Sequence, residues 1–174
     1  MIAFLRGKVA SLEPSSVILD CGGVGYKVHI SLNTYDKIQG KQELTIQTYH
    51  LVREDAQLLF GFAKALEKQL FELLLGISGV GASTAITILS SMNAGELSQA
   101  IAAEDVASLK RVKGIGAKTA GRIVLELKDK LGAKLGDFAS GLPSLKNTLK
   151  DDAVAGLQSL GFSKNDAEKE WTEF

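Results

Sequence analysis

Residues 109–129, LKRVKGIGAKTAGRIVLELKD, decide how this chain is read. They parse as the end of a short helix, a tight turn at Gly114-Ile115-Gly116, and a longer helix from Ala117. Ile123, Val124 and Leu127 give that second helix an apolar face. The same design stands 35 residues earlier, in LLGISGVGASTAITIL at 74–89. Gly79 aligns with Gly114, Gly81 with Gly116, Ala82 with Ala117, Ser83 with Lys118 and Thr84 with Thr119. The chain therefore carries a duplicated helix–Gly-x-Gly–helix unit.

Such a unit suits an anion. Glycine tolerates positive φ and puts no Cβ in a ligand's path. The first amides of the following helix have no internal acceptors and sit at the positive end of its dipole. In the second copy Lys113 and Lys118 flank this nest, Thr119 follows, and Arg122 lies one turn beyond Lys118. In the first copy the flanks are Ser78 and Ser83, so that copy relies on amides and hydroxyls. The expected contacts to a nucleic-acid backbone are thus Ser78, Gly79, Val80, Gly81 and Ser83, with Lys113, Gly114, Ile115, Gly116, Lys118, Thr119 and Arg122. Contacts of this kind hold phosphates and leave base sequence unread. One Gly-x-Gly alone is an ordinary interhelical turn; two in matched helical context, one with a basic border, point to backbone binding. A dinucleotide fold is excluded, because neither Gly81 nor Gly116 is followed three residues later by glycine and both turns follow helices. No Gly-Lys-Ser/Thr follows either glycine pair, so neither is an ATP-binding phosphate loop.

The 174 residues carry 20 Lys/Arg and 20 Asp/Glu, which seems poor ground for a DNA-binding protein until the charge is mapped. Residues 110–134 hold eight basic and two acidic side chains, whereas residues 136–174 hold four and seven. A local basic patch governs binding to a polyanion more than the sum does. One cysteine, Cys21, allows no internal disulfide and reads as a small buried thiol at a strand end. Arg6 and Lys8 break the first apolar run, which excludes a signal peptide, and no run of 18 apolar residues exists to span a membrane. The cytoplasm is the expected location.

Residues 1–62 read as strands of a small OB-like β-barrel. Alternation is clearest at 25–32 and 44–52, with further short strands at 1–10, 16–21 and 58–62. Closing a barrel at this size removes exposed edges. Glu54 and Asp55 fall between the last two strands, where on sequence alone they read as a solvated hairpin tip. His29 and His50 are too few for a zinc site. Residues 63–135 switch to helical period and form an all-α domain around the two turns. Residues 136–150 read as a Gly/Ser/Lys-rich linker with Pro143, and residues 151–174 as a small helical segment with a turn at Gly161-Phe162-Ser163. A third helix is expected after Phe174, so that segment reads as shortened. The fold class is α+β multidomain.

At this point the chain resembles the RuvA family. The resemblance rests on Met1-Ile2-Ala3-Phe4-Leu5-Arg6-Gly7, Gly22-Gly23-Val24-Gly25-Tyr26, Val52-Arg53-Glu54-Asp55-Ala56-Gln57-Leu58-Leu59-Phe60-Gly61-Phe62 and the two glycine turns. It implies an OB-like first domain, a tandem helix-hairpin-helix second domain and a small UBA-like third domain. It implies a homotetramer, singly or as a pair, on four-way junction DNA. It implies that Glu54 and Asp55 form an acidic pin at the junction centre, in place of a merely solvated tip. It implies RuvB, the hexameric ATP-driven motor, as partner of the third domain, with RuvC as a further partner, and no catalytic residue, metal or cofactor in this chain. Two other readings stay open: a metal-dependent junction nuclease built on Glu54 and Asp55, and a protein-interaction adaptor whose hairpins are structural.

Overall fold

The computed structural model describes residues 1–132. Period-two alternation in the first third produces β1 (Phe4–Glu13), β2 (Ser16–Asp20), β3 (Gly25–Ile30), β4 (Glu43–Val52) and β5 (Gln57–Phe62), with α1 (Leu32–Ile38) between β3 and β4. The strands close in the order β1-β2-β3-β5-β4. β3 and β5 run parallel, and the other neighbours run antiparallel, β4 returning to β1. This is the expected OB-like barrel, with a helix inserted before the fourth strand.

Inward positions fill the barrel: Leu5, Val17, Leu19, Val28, Ile30, Leu44 and Ile46 are buried together, and Ile38 of α1 closes one end. The first strand runs further than its expected end at residue 10, past a register shift between Val9 and Ser11 to Glu13. A Cβ at Gly7 would lie 2.4 Å from the Asp20 carbonyl oxygen, so glycine is what lets β1 cross β2 so closely. Gly61 serves the same end on β5, where a Cβ would lie 2.5 Å from Val28 Cγ1. Cys21 is half-buried against the barrel core just past β2.

The second part is α2 (Ala65–Leu75), α3 (Ala82–Ser91), α4 (Ala94–Ala102), α5 (Val106–Lys110) and α6 (Ala117–Gly132). Asn93 and Glu96 form a reciprocal capping box at α4, and Asp105 caps α5 by accepting from the Ser108 amide at 3.0 Å. The apolar face of α2 turns inward. Leu70, Phe71 and Leu74 are fully buried within the chain. Phe71 packs its ring 4.9 Å from Phe62, 5.0 Å from Phe60 and 5.4 Å from Tyr49, all on the barrel. Loss of such an aromatic typically costs about 3–5 kcal/mol. Met1–Lys130 accordingly packs as one compact unit. No helix among the described residues is long and apolar enough to cross a membrane. The expected linker at 136–150 and helical segment at 151–174 lie outside the described residues.

Candidate nucleic-acid interface

The two glycine turns have the same backbone. At the first, the Val80 amide donates to the Ile77 carbonyl at 3.0 Å; at the second, the Ile115 amide donates to the Val112 carbonyl at 3.1 Å. Gly79 and Gly114 stand third in these turns, with φ of +89° and +86°. That left-handed conformation strains any residue with a Cβ. Val80 and Ile115 are buried, with exposures of 5% and 7%. Their amides close the turns and their side chains anchor them, so they hold the hairpins in shape while their neighbours face outward. Ser78, Gly79, Gly81, Ser83, Lys113, Gly114, Gly116 and Lys118 are exposed.

The helix after each turn begins at a residue that cannot cap it. Gly81 supplies no side-chain hydrogen bond to the start of α3, and the first internal bond runs from the Ala85 amide to the Gly81 carbonyl. Gly116 holds the matching place in α6, where the Ala120 amide donates to it at 2.9 Å. α1, α4 and α5 are capped by Ser31, Asn93 and Asp105, while α2, which follows no glycine turn, also starts without a side-chain cap. The first-turn amides of α3 and α6 are thus left for an acceptor from outside, as a phosphate would be.

The hairpins also touch. Arg122 of α6 donates from Nη1 to the Ser78 carbonyl at 3.2 Å, and its Nε lies 3.8 Å from Glu126. Its role is therefore partly internal: the second unit braces the turn of the first. Thr119 is half-buried. Lys128 pairs with Glu104 in the turn before α5. That contact keeps the Glu104 carboxyl below its usual range, and hydrogen bonds from Ser108 do the same for Asp105. Lys113 and Lys118 remain as the exposed cations beside the second nest.

Glu54 and Asp55 occupy the tip of the β4–β5 hairpin, where the Arg53 amide donates to the Ala56 carbonyl at 2.8 Å. Both acids are exposed. Between this hairpin and the start of α3 runs a cleft of about 560 Å³, lined by His29, Leu51, Arg53, Phe60, Gly81 and Ser83 among others. Burial, then the charge of Lys27, lowers the His29 pKa from its ordinary 6.5. Among the described residues no three His, Cys, Asp or Glu side chains gather as a metal site.

Residues 1–61 match the RuvA N-terminal domain, and residues 71–129 match the SAM-like helix-hairpin-helix tandem. A protein of Bacteroides fragilis named Holliday junction branch migration complex subunit RuvA is 43% identical over 97% of this chain and 88% of its own length. Proteins of the same name from Christiangramia forsetii and Methylibium petroleiphilum are each 43% identical, over 97% of this chain and 87% of theirs. The chain belongs to the RuvA family.

For a RuvA-family chain the arrangement reads simply. The folded unit brings the two hairpins together through Arg122 and sets the acidic tip on a separate projection of the barrel. Sequence reasoning missed Arg53. It lines the same cleft as Gly81 and Ser83, so the first hairpin, which lacks lysines, has a cation beside it drawn from the barrel. Its place next to two acids in sequence concealed this, because only the packing of β4 and β5 against α2, which leads into the first hairpin, creates the neighbourhood.

Proposed function

We propose that this chain is the non-catalytic, DNA-binding subunit of a branch-migration machine, binding four-way (Holliday) junctions in recombination and repair. The observation that carries the reading is the pairing of two uncapped glycine hairpins with an acidic tip on one compact unit of a RuvA-family chain. The hairpins hold arm backbones through amides, through Ser78 and Ser83 at the first, and through Lys113 and Lys118 at the second. Arg53 adds charge to the first grip. Four copies arranged about a four-fold axis would bring four Glu54-Asp55 pairs to the crossover, where they repel phosphates and hold the junction open. Residues 151–174, reached through a linker at 136–150, would engage a RuvB-type ATP-driven motor, with a RuvC-type resolvase as a further partner, in the cytoplasm. The chain itself contributes shape and charge, not bond-making chemistry.

The test is binding of a four-way junction and of duplex made from one of its arms, with light scattering on the same samples. The expected result is preference for the junction, largely independent of its base sequence, by an assembly of four or eight copies. A monomer with no junction preference would overturn the reading. Glu54→Gln with Asp55→Asn is expected to leave junction affinity unchanged or raised while altering motor-driven branch migration. Loss of affinity would remove the repulsive role of the tip. Cleavage of labelled junction with Mg²⁺, abolished by the same pair, would favour a nuclease instead.

A further inference from the structure

The barrel carries the acidic tip and the helices carry the hairpins, so the angle between the two parts matters. Glu67, in the first turn of α2, is only 2% exposed. A carboxylate at that depth is costly unless its oxygens are partnered. Both are: Ser31 Oγ donates to one oxygen, and Thr34 Oγ1 donates to the other at 2.9 Å. Lys37 Nζ lies 3.9 Å from that second oxygen. All three partners belong to α1 or its cap, on the barrel.

The network continues on both sides. Thr34 Oγ1 accepts from the Ala63 amide at 3.2 Å, at the step from β5 to α2. The Leu32 amide donates to Ser90 Oγ at 3.1 Å, and Asn33 Nδ2 donates to the Leu89 carbonyl at 2.6 Å. Those last two acceptors lie near the end of α3, the helix that the first hairpin opens. α1 is thereby tied to α2 on one flank and to α3 on the other.

We infer that Glu67, held by Ser31 and Thr34, is a positioning residue for junction specificity: it sets the orientation of the hairpins relative to the Glu54-Asp55 tip. The inference rests on the junction-binding reading above. Phe71 also joins barrel to helices, but apolar burial is non-directional. Hydrogen bonds to a charged group are short and directional, and so fix an angle. A duplex arm engages the hairpins and Arg53 but never the tip, so it feels that angle only weakly, through one cation. A junction must meet hairpins and tip together, so its binding is sensitive to it.

Glu67→Ala, Glu67→Gln and Asn33→Ala in the full chain, assayed on junction and on duplex beside a thermal melt, test this. Glu67→Ala is expected to lower the junction-to-duplex preference by about fivefold to about tenfold, with duplex affinity little changed. Glu67→Gln keeps the size and exchanges hydrogen bonds with both hydroxyls, its amide oxygen accepting and its N–H donating, so it should retain most of the preference. Asn33→Ala, at a half-buried site, should lower the preference by about twofold to about threefold and decides the matter if Glu67→Ala does not fold. Equal losses on both DNAs, or preference intact in both alanine variants, overturn the positioning role. A wild-type chain with no junction preference would instead remove the reading on which it rests.

Discussion

The two hairpins share a backbone and differ in chemistry. Each has a left-handed glycine, a buried hydrophobic residue that closes the turn, and a helix starting without a side-chain cap. Yet the second carries its own cations, Lys113 and Lys118, while the first presents Ser78 and Ser83 and has Arg53 of the barrel beside it. The second also stabilises the first, through Arg122 and the Ser78 carbonyl. Duplication thus preserved the part that geometry dictates, the turn, and let the charge be supplied from different places. On the proposed reading, a grip whose cation comes from the barrel would be coupled to the barrel's position; a grip with its own lysines would not.

The largest effect should come from attacking what the copies share. Gly79→Val and Gly114→Val force a β-branched residue to positive φ, at a cost of about 1–3 kcal/mol each. Together they should abolish measurable junction binding in a gel shift, and singly they should act alike. A harmless valine at either site would show that the turns are not held as described.

Charge comes next, and here the copies should separate. Lys113→Ala with Lys118→Ala should lower the slope of log affinity against log salt by about 1.8, two phosphate contacts' worth, whereas Ser78→Ala with Ser83→Ala should leave the slope unchanged. Arg53→Ala should lower it by about 0.9, although it lies on the barrel. An unchanged slope in Arg53→Ala would leave the first hairpin with amides and hydroxyls alone.

Smaller still is the brace. Arg122→Ala removes one exposed hydrogen bond to the Ser78 carbonyl, worth roughly 0.5–1.5 kcal/mol. Amide exchange should quicken around Gly79–Gly81 more than around Gly114–Gly116. Equal change at both turns would mean that Arg122 acts through α6 generally. The least effect concerns pH at the cleft beside the first hairpin. His29 titrates below histidine's usual 6.5, so as pH falls the unfolded chain takes up its proton first. Its contribution is complete above 6.5 and is lost as pH drops through the interval beneath that value. His29→Gln should flatten the change in melting temperature between about pH 7.5 and about pH 5.5. An unaltered profile would remove His29 from the account.

Much of this was legible in the residues. Period two at 25–32 and 44–52 announced strands, and the change of period after residue 62 announced helices. The aligned glycines revealed the duplication, because positive φ is a local demand that only the local residue can meet. Gly79 and Gly114 both adopt it. The acidic tip was visible as two residues between strands, but the pin role proposed for it came from family resemblance.

What the sequence determined alone was therefore local: the elements, their boundaries to within a few residues, and the backbone of each turn. These depend on side-chain alternation and on conformational limits that act within a few residues. Tertiary structure decided which turn receives which charge. Arg53 reaches the neighbourhood of Gly81 only because β4 and β5 pack against the helices, and Arg122 serves Ser78 across 44 positions of chain. It also decided that Glu67, an unremarked residue in a helical run, lies buried between α1 and α2 with Ser31 and Thr34 as donors. A carboxylate's partners are set by distance in space, and no periodicity along the chain records them.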